Sequence, residues 1–152
     1  MPIAPPGRRR IYSNQGFEAL GKHLAARAEM PFADDVLSLG RELLAPRLVA
    51  AETHAEMVRV QFPGLDGVLP DWGRFSPLDW GLGVELKGEK APHWSGSRTS
   101  PPTFGHFGGS GTFLWVDPER GLACAALTTR EFGDWAKDAW PRLSDAVLEA
   151  LG

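Results

Sequence analysis

Apolar residues keep a helical period over the first sixty residues of this chain and lose it afterwards, and prolines mark where helices must stop. Phe17, Leu20, Leu24 and Ala28 recur at helical spacing behind Asn14, a residue type suited to an N-cap. A helix is therefore expected from 14 to about 29. Pro31 ends it, because the proline ring has no amide hydrogen and clashes with the preceding turn. Val36, Leu39, Leu43 and Leu44 mark a second helix over 33–44, closed by Pro46, and a third, short one covers 51–60.

From Pro63 to Pro77 the texture changes to Gly, Pro and Asp, with Leu65, Val68, Leu69, Trp72 and Phe75 between them. Such apolar residues must be buried, so 61–78 reads as an ordered loop rather than a linker. Residues 79–87, DWGLGVELK, read as a strand, and 88–103 as a second loop. Two further strands are expected over 111–116 and 122–128, joined by DPERG with Gly121 at its close. Trp135, Ala139, Leu143, Val147 and Leu151 mark one face of a closing helix, which Pro141 kinks or restarts. The order predicts an α+β fold in a single domain over 1–152. Residues 1–10 are extended, 11–60 helical, and 79–152 form a small antiparallel sheet plus the C-terminal helix. At 152 residues a domain buries roughly 68–70% of its unfolded surface, enough for a true core.

Composition narrows the function classes. A net charge of −3 gives no electrostatic footprint for nucleic acid. No run approaches the apolar length of a membrane span, and MPIAPPGRRRIY has no apolar stretch after its charges, so a cytoplasmic chain without membrane partners is expected. A single cysteine, Cys124 in the apolar run LACAAL, rules out an internal disulfide or multi-thiolate metal site and reads as an inert thiol. His23, His54 and His93 have no histidine partner at i, i+4, so no metal or other cofactor is expected.

GHFGGSG, residues 105–111, is nearly free of side-chain bulk and leads into a strand. Glycines let another molecule approach the backbone, so amide N–H groups there can serve as donors to an oxyanion. The same glycines would equally suit a bulge or tight turn. The segment is neither the G-x-S-x-G elbow, since Thr112 stands at its last glycine, nor a phosphate loop.

Read with Y-S-N at 12–14 and W-G-L-G-V-E-L at 80–86, the segment G-H-F-G-G-S-G-T-F-L-W-V-D-P-E-R-G-L-A-C resembles the C-terminal part of the serine β-lactamase / D-Ala-D-Ala carboxypeptidase / esterase family, in its class C-like branch. That resemblance runs from about residue 8 to the last helix. It implies a partial β-lactamase/transpeptidase-like fold and a pocket built from three boxes: S-x-x-K, Y-x-N, and K-T-G or its H-x-G variant. By position it implies that Tyr12 assists proton transfer and Asn14 orients the substrate amide. His106 would bind or polarise the substrate, and Gly108, Gly109 and Ser110 would form the oxyanion and substrate-binding strand, with Gly109 giving the N–H. Phe107 replaces the usual Thr or Ser, which removes a hydroxyl that contacts a substrate carboxylate and shifts the expectation from β-lactam or D-Ala-D-Ala substrates toward esters or another acyl substrate.

The first box is missing. Three residues before Lys22, Lys87, Lys90 and Lys137 stand Ala19, Val84, Lys87 and Asp134, so these 152 residues hold no S-x-x-K. A tyrosine and an oxyanion donor have no reaction to assist without a nucleophile. The chain is thus expected to be a single incomplete domain, inactive alone, whose partners are a small acyl substrate and a chain or segment carrying the missing half. A non-catalytic ligand-binding domain and one half of a split enzyme are the alternatives. The strand over 122–128 is expected to leave an uncharged apolar edge.

Overall fold

The computed structural model describes residues 22, 23, 26, 32–69 and 71–151. The chain divides into two units, Met1–Asp35 and Val36–Gly152. In the first, Lys22, His23 and Ala26 are helical and exposed. Tyr12, Asn14 and most of the helix expected over 14–29 lie outside the described residues.

Helix α1 (Phe32–Leu44) starts with Asp34 and Asp35 in its first turn, where carboxylates complement the helix dipole. Helix α2 (Ala51–Met57) is shorter than its expected span over 51–60. Val58 leaves helical geometry, and Gln61 then pairs as an isolated bridge with Trp80.

The loop expected over 61–78 contains a hairpin, β1 (Gly67–Leu69) paired with β2 (Gly73–Phe75). Three-residue strands that begin on glycine carry too little alternation to be recognised by pattern. The strand expected over 79–87 shrinks to β3 (Glu85–Leu86). Gly81 N–H donates to Val84 O at 2.8 Å, and the turn folds Trp80 back against Glu85. Close approach of the Met57 carbonyl requires glycine at 81, where a Cβ would stand 2.1 Å from Met57 O.

Three longer strands follow: β4 (Phe104–Gly108), β5 (Thr112–Asp117) and β6 (Leu122–Ala126). They form an antiparallel sheet in the order β3-β4-β5-β6. Glycine lowers strand propensity, which hid β4 inside GHFGGSG; its pairing with the apolar β5 overrides that. The register places Phe104, Val116 and Ala123 side by side on one face and Phe107, Phe113 and Ala126 on the other.

Each face is covered. Leu86, Phe104 and Val116 pack with Leu43 and Leu44 of α1, Met57 of α2 and Val58 just beyond it. Gly40 allows that approach, since a Cβ there would lie 3.1 Å from the Ala123 Cβ. The other face receives α3 (Asp134–Leu151), which carries Pro141 inside a continuous helix. Ala136, Trp140 and Leu148 of α3 pack on Trp94, Phe113 and Trp115. Trp115 Nε1 donates to the buried Ser144 Oγ at 2.9 Å, so the aromatic ring that joins sheet to helix is also satisfied as a donor. The result is an α+β fold, with helices on both faces of a small antiparallel sheet.

Residues 88–103 have no regular structure, yet much of the segment is buried. A polar network holds it. Glu85, only 1% exposed, accepts from Lys90 Nζ at 2.8 Å and from Trp94 Nε1 at 2.7 Å. His93 Nδ1 accepts from the Ser95 amide, so the neutral ring carries its proton on Nε2, 3.3 Å from the same carboxylate. A buried charge is costly unless it is paired and hydrogen-bonded, and here Glu85 is both. No helix among the described residues is long and apolar enough to cross a membrane.

Candidate active site

The turn after β4 explains the glycines around His106. Gly111 N–H donates to Gly108 O at 3.0 Å, closing a three-residue loop over Gly109, Ser110 and Gly111. Gly111 has φ +79°, the left-handed conformation such loops need at their last position. A Cβ at 111 would also stand 1.8 Å from Arg130 O. A second segment latches this turn from outside. Phe132 N–H donates to Gly109 O at 2.9 Å, and Thr128 Oγ1 donates to Gly111 O at 2.9 Å. The backbone of 108–111 is thus held from two directions.

That fixation leaves the Gly109 amide open. Among the described residues Gly109 N–H has no hydrogen-bond partner, and a Cβ at Gly109 would meet nothing within 4 Å. Ser110 is exposed, with Oγ 3.1 Å from Thr112 Oγ1. Among the described residues the outer edge of β4 is unpaired from His106 onward, because β3 pairs only through Glu85 with Gly105 and Leu86 with Phe104. His106 is exposed on this free edge, and its ring meets the Trp80 ring edge-on, centroids 5.6 Å apart. An exposed imidazole, an open amide and a free strand edge together can receive a polar group of an extended or acyl ligand.

Phe107 points the other way. Its ring lies among Trp94, Phe132 and Trp140, with centroids 5.7, 5.1 and 5.6 Å away. It anchors the site strand to α3 and presents nothing polar. Cys124, half-buried on β6, has its thiol pushed up by burial, in keeping with an inert sulfur.

The structure therefore brings His106, Gly108, Gly109 and Ser110 together at one end of β4, while Tyr12 and Asn14 lie outside the described residues. Sequence reasoning missed Trp80 as the ring beside His106 and the segment Thr128–Phe132 as the latch. Trp80 carried a usable signal, since it opens W-G-L-G two glycine turns before β3; the latch had none, because its contacts span about twenty residues and depend on the hairpin's own geometry.

Comparison with known proteins gives the same direction. The β-lactamase family model matches residues 30–148. A crystal structure of a β-lactamase from Mycobacterium bovis superposes with a TM-score of 0.73 at 42% sequence identity, covering 98% of this chain and 67% of that one. No curated protein matches. With four fifths of its length matched by the family model and a solved relative of this identity, the chain belongs to the β-lactamase family.

Proposed function

We propose that this chain forms the C-terminal wall of an acyl-transfer pocket in a serine hydrolase, with ester or amide substrates opened through an acyl-enzyme. The observation that carries the reading is the open Gly109 amide beside the exposed His106 on the free edge of β4. As a serine oxygen adds to the substrate carbonyl, negative charge grows on the carbonyl oxygen, and the fixed Gly109 N–H is the donor for it. A donor that is already oriented costs no reorganisation, which is why such groups lower the barrier by about 3 kcal/mol each. His106 binds or polarises the substrate next to that point, Tyr12 assists proton transfer, and Asn14 orients the acyl group. The ring of Phe107, turned into the aromatic cluster, leaves no hydroxyl for a substrate carboxylate and favours esters over β-lactams and D-Ala-D-Ala peptides.

The 152 residues contain no S-x-x-K, so the chain by itself lacks the nucleophile and does not turn over substrate. A fluorophosphonate probe and p-nitrophenyl butyrate test this directly. The chain alone should neither be labelled nor release nitrophenol; labelling of any serine in it would overturn the reading. In a polypeptide extended with an S-x-x-K segment, hydrolysis should appear, and His106→Ala should lower kcat/KM by about 100-fold. The uncharged edge of β6 favours a second reading, in which a separate chain supplies that segment by pairing along the edge. Copurification of such a chain with the tagged protein would distinguish the two.

A further inference from the structure

A cleft of about 410 Å³ lies beside loop 88–103, away from the open end of β4. Lys87 and Asp145 both line it, together with Pro92, Pro101 and Pro141. The two lysines of this region differ in how fully they are used. An ammonium has three N–H donors. Lys90 spends all three, on Glu85 Oε1, Asp79 O and Leu86 O. Lys87 spends two, both on Thr99, through its carbonyl oxygen and its Oγ1. Lys87 is 7% exposed, and among the described residues no carboxylate pairs with it. A buried cation with an unused donor and no counterion in contact is an expensive arrangement that a carboxylate would relieve. Burial pushes Lys87 below its ordinary value, against the opposing pull of the more distant carboxylates of Asp145, Asp117 and Glu89.

Asp145, from α3, supplies the opposite charge. Its oxygens accept from Ser97 Oγ and the Arg98 amide, both at 2.8 Å. Two hydrogen bonds leave a carboxylate with acceptor capacity to spare. Those two bonds also fix its position relative to the loop that carries Thr99, and so relative to Lys87. One cleft thus holds a positive group and a negative group that do not pair with each other, and three prolines share its lining. A lone anion would be attracted to Lys87 and repelled by Asp145, and a lone cation the reverse. A zwitterion satisfies both.

We propose that this cleft binds an α-amino acid with an apolar side chain, its carboxylate on Lys87, its ammonium on Asp145 and its side chain against the prolines. The site is separate from the β4 pocket and does not depend on the acyl-transfer reading. It is tested by calorimetric titration of the full chain with L-leucine, with 4-methylpentanoate, which lacks the ammonium, and with 3-methylbutylamine, which lacks the carboxylate. L-Leucine should bind at least about tenfold more tightly than either analogue, as expected when one charged contact is lost. Asp145→Asn should abolish that preference over 4-methylpentanoate while leaving the carboxylate analogue's own binding in place. Lys87→Met should abolish binding of both, and Lys87→Arg, which keeps the charge if the methionine variant does not fold, should retain leucine in preference to the amine. Equal binding of leucine and 4-methylpentanoate by the parent chain would overturn the proposal, as would the absence of heat for leucine at millimolar concentration.

Discussion

At the scale of single residues, the glycine pattern around His106 was open to two readings, and both hold at different positions. Gly111 is required by conformation, with φ +79° and Arg130 O where a Cβ would go. Gly109 is not crowded, and its lack of a side chain instead exposes the amide. Gly111→Ala should therefore lose about 1–3 kcal/mol from left-handed strain alone, more with the clash, measured as a fall in the urea midpoint. Gly109→Ala should cost far less stability; similar losses at both sites would contradict this separation. Glu85 makes the opposite case. Nothing in V-E-L announces a buried carboxylate, because its partners at 90, 93 and 94 come from a loop without period. Glu85→Ala should destabilise the chain by about 3–5 kcal/mol, since it leaves the Lys90 ammonium buried without its partner. A loss below about 1 kcal/mol in equilibrium unfolding would mean that the network relaxes around the gap.

At the scale of elements, strong helical periodicity was the most legible feature. α1 was read as 33–44 and spans Phe32–Leu44, and α3 runs on through Pro141, but its buried face is Ala136, Trp140, Ser144 and Leu148, while Leu143 and Leu151 of the expected face are exposed, because the sheet selects the side that carries Trp140. Strands of two or three residues were not legible, since pairing rather than pattern defines them. The packing of α3 on the sheet rests on Trp140, 1% exposed and ringed by Phe107, Phe113, Phe132 and Trp135. Trp140→Ala should cost about 3–5 kcal/mol. It should also loosen Phe107 and with it the site strand, seen as faster amide exchange at His106 and Gly108. On the other side of the sheet, β6 pairs only with β5 among the described residues, and its five residues are uncharged. Leu127, exposed just beyond it, extends this edge. Leu127→Lys should reduce concentration-dependent light scattering of the purified chain, as a charge on an edge blocks strand addition. Unchanged scattering would place the association elsewhere.

At the scale of the whole molecule, the buried polar network makes stability depend on acid. Burial holds the His93 imidazolium below its ordinary value of 6.5, against the pull of Glu85. Burial pushes Glu85 up, but His93 and Lys90 together hold it below its ordinary 4.5. Asp117 is likewise raised by burial and drawn down further by hydrogen bonds from Ser100 and the Arg120 amide, to below 3.8. All three folded-state values are depressed relative to the unfolded chain. Each group therefore contributes stability that is full above its ordinary value and is lost as pH falls through the folded one. The urea midpoint should decline in two stages, starting below pH 6.5 with His93 and steepening below 4.5 with the carboxylates. In His93→Gln the first stage should vanish and the second remain. A first stage that persists in that variant would assign it to another group.

The amino-acid sequence alone determined the α+β class, the places where proline stops helices, the charge balance, and the lack of a serine-x-x-lysine box, because these follow from composition and local period. It also carried the family resemblance, through short motifs at 12–14, 80–86 and 105–124. Only the tertiary structure decided what each local segment does with its backbone. It made GHFGGSG a strand and a latched turn, left the Gly109 amide open, turned Phe107 into the core and His106 out of it, and buried Glu85 and Lys87 with different partners. These outcomes depend on contacts between residues five to seventeen or more positions apart, whose energies compete with local propensity and follow no regular period in the sequence.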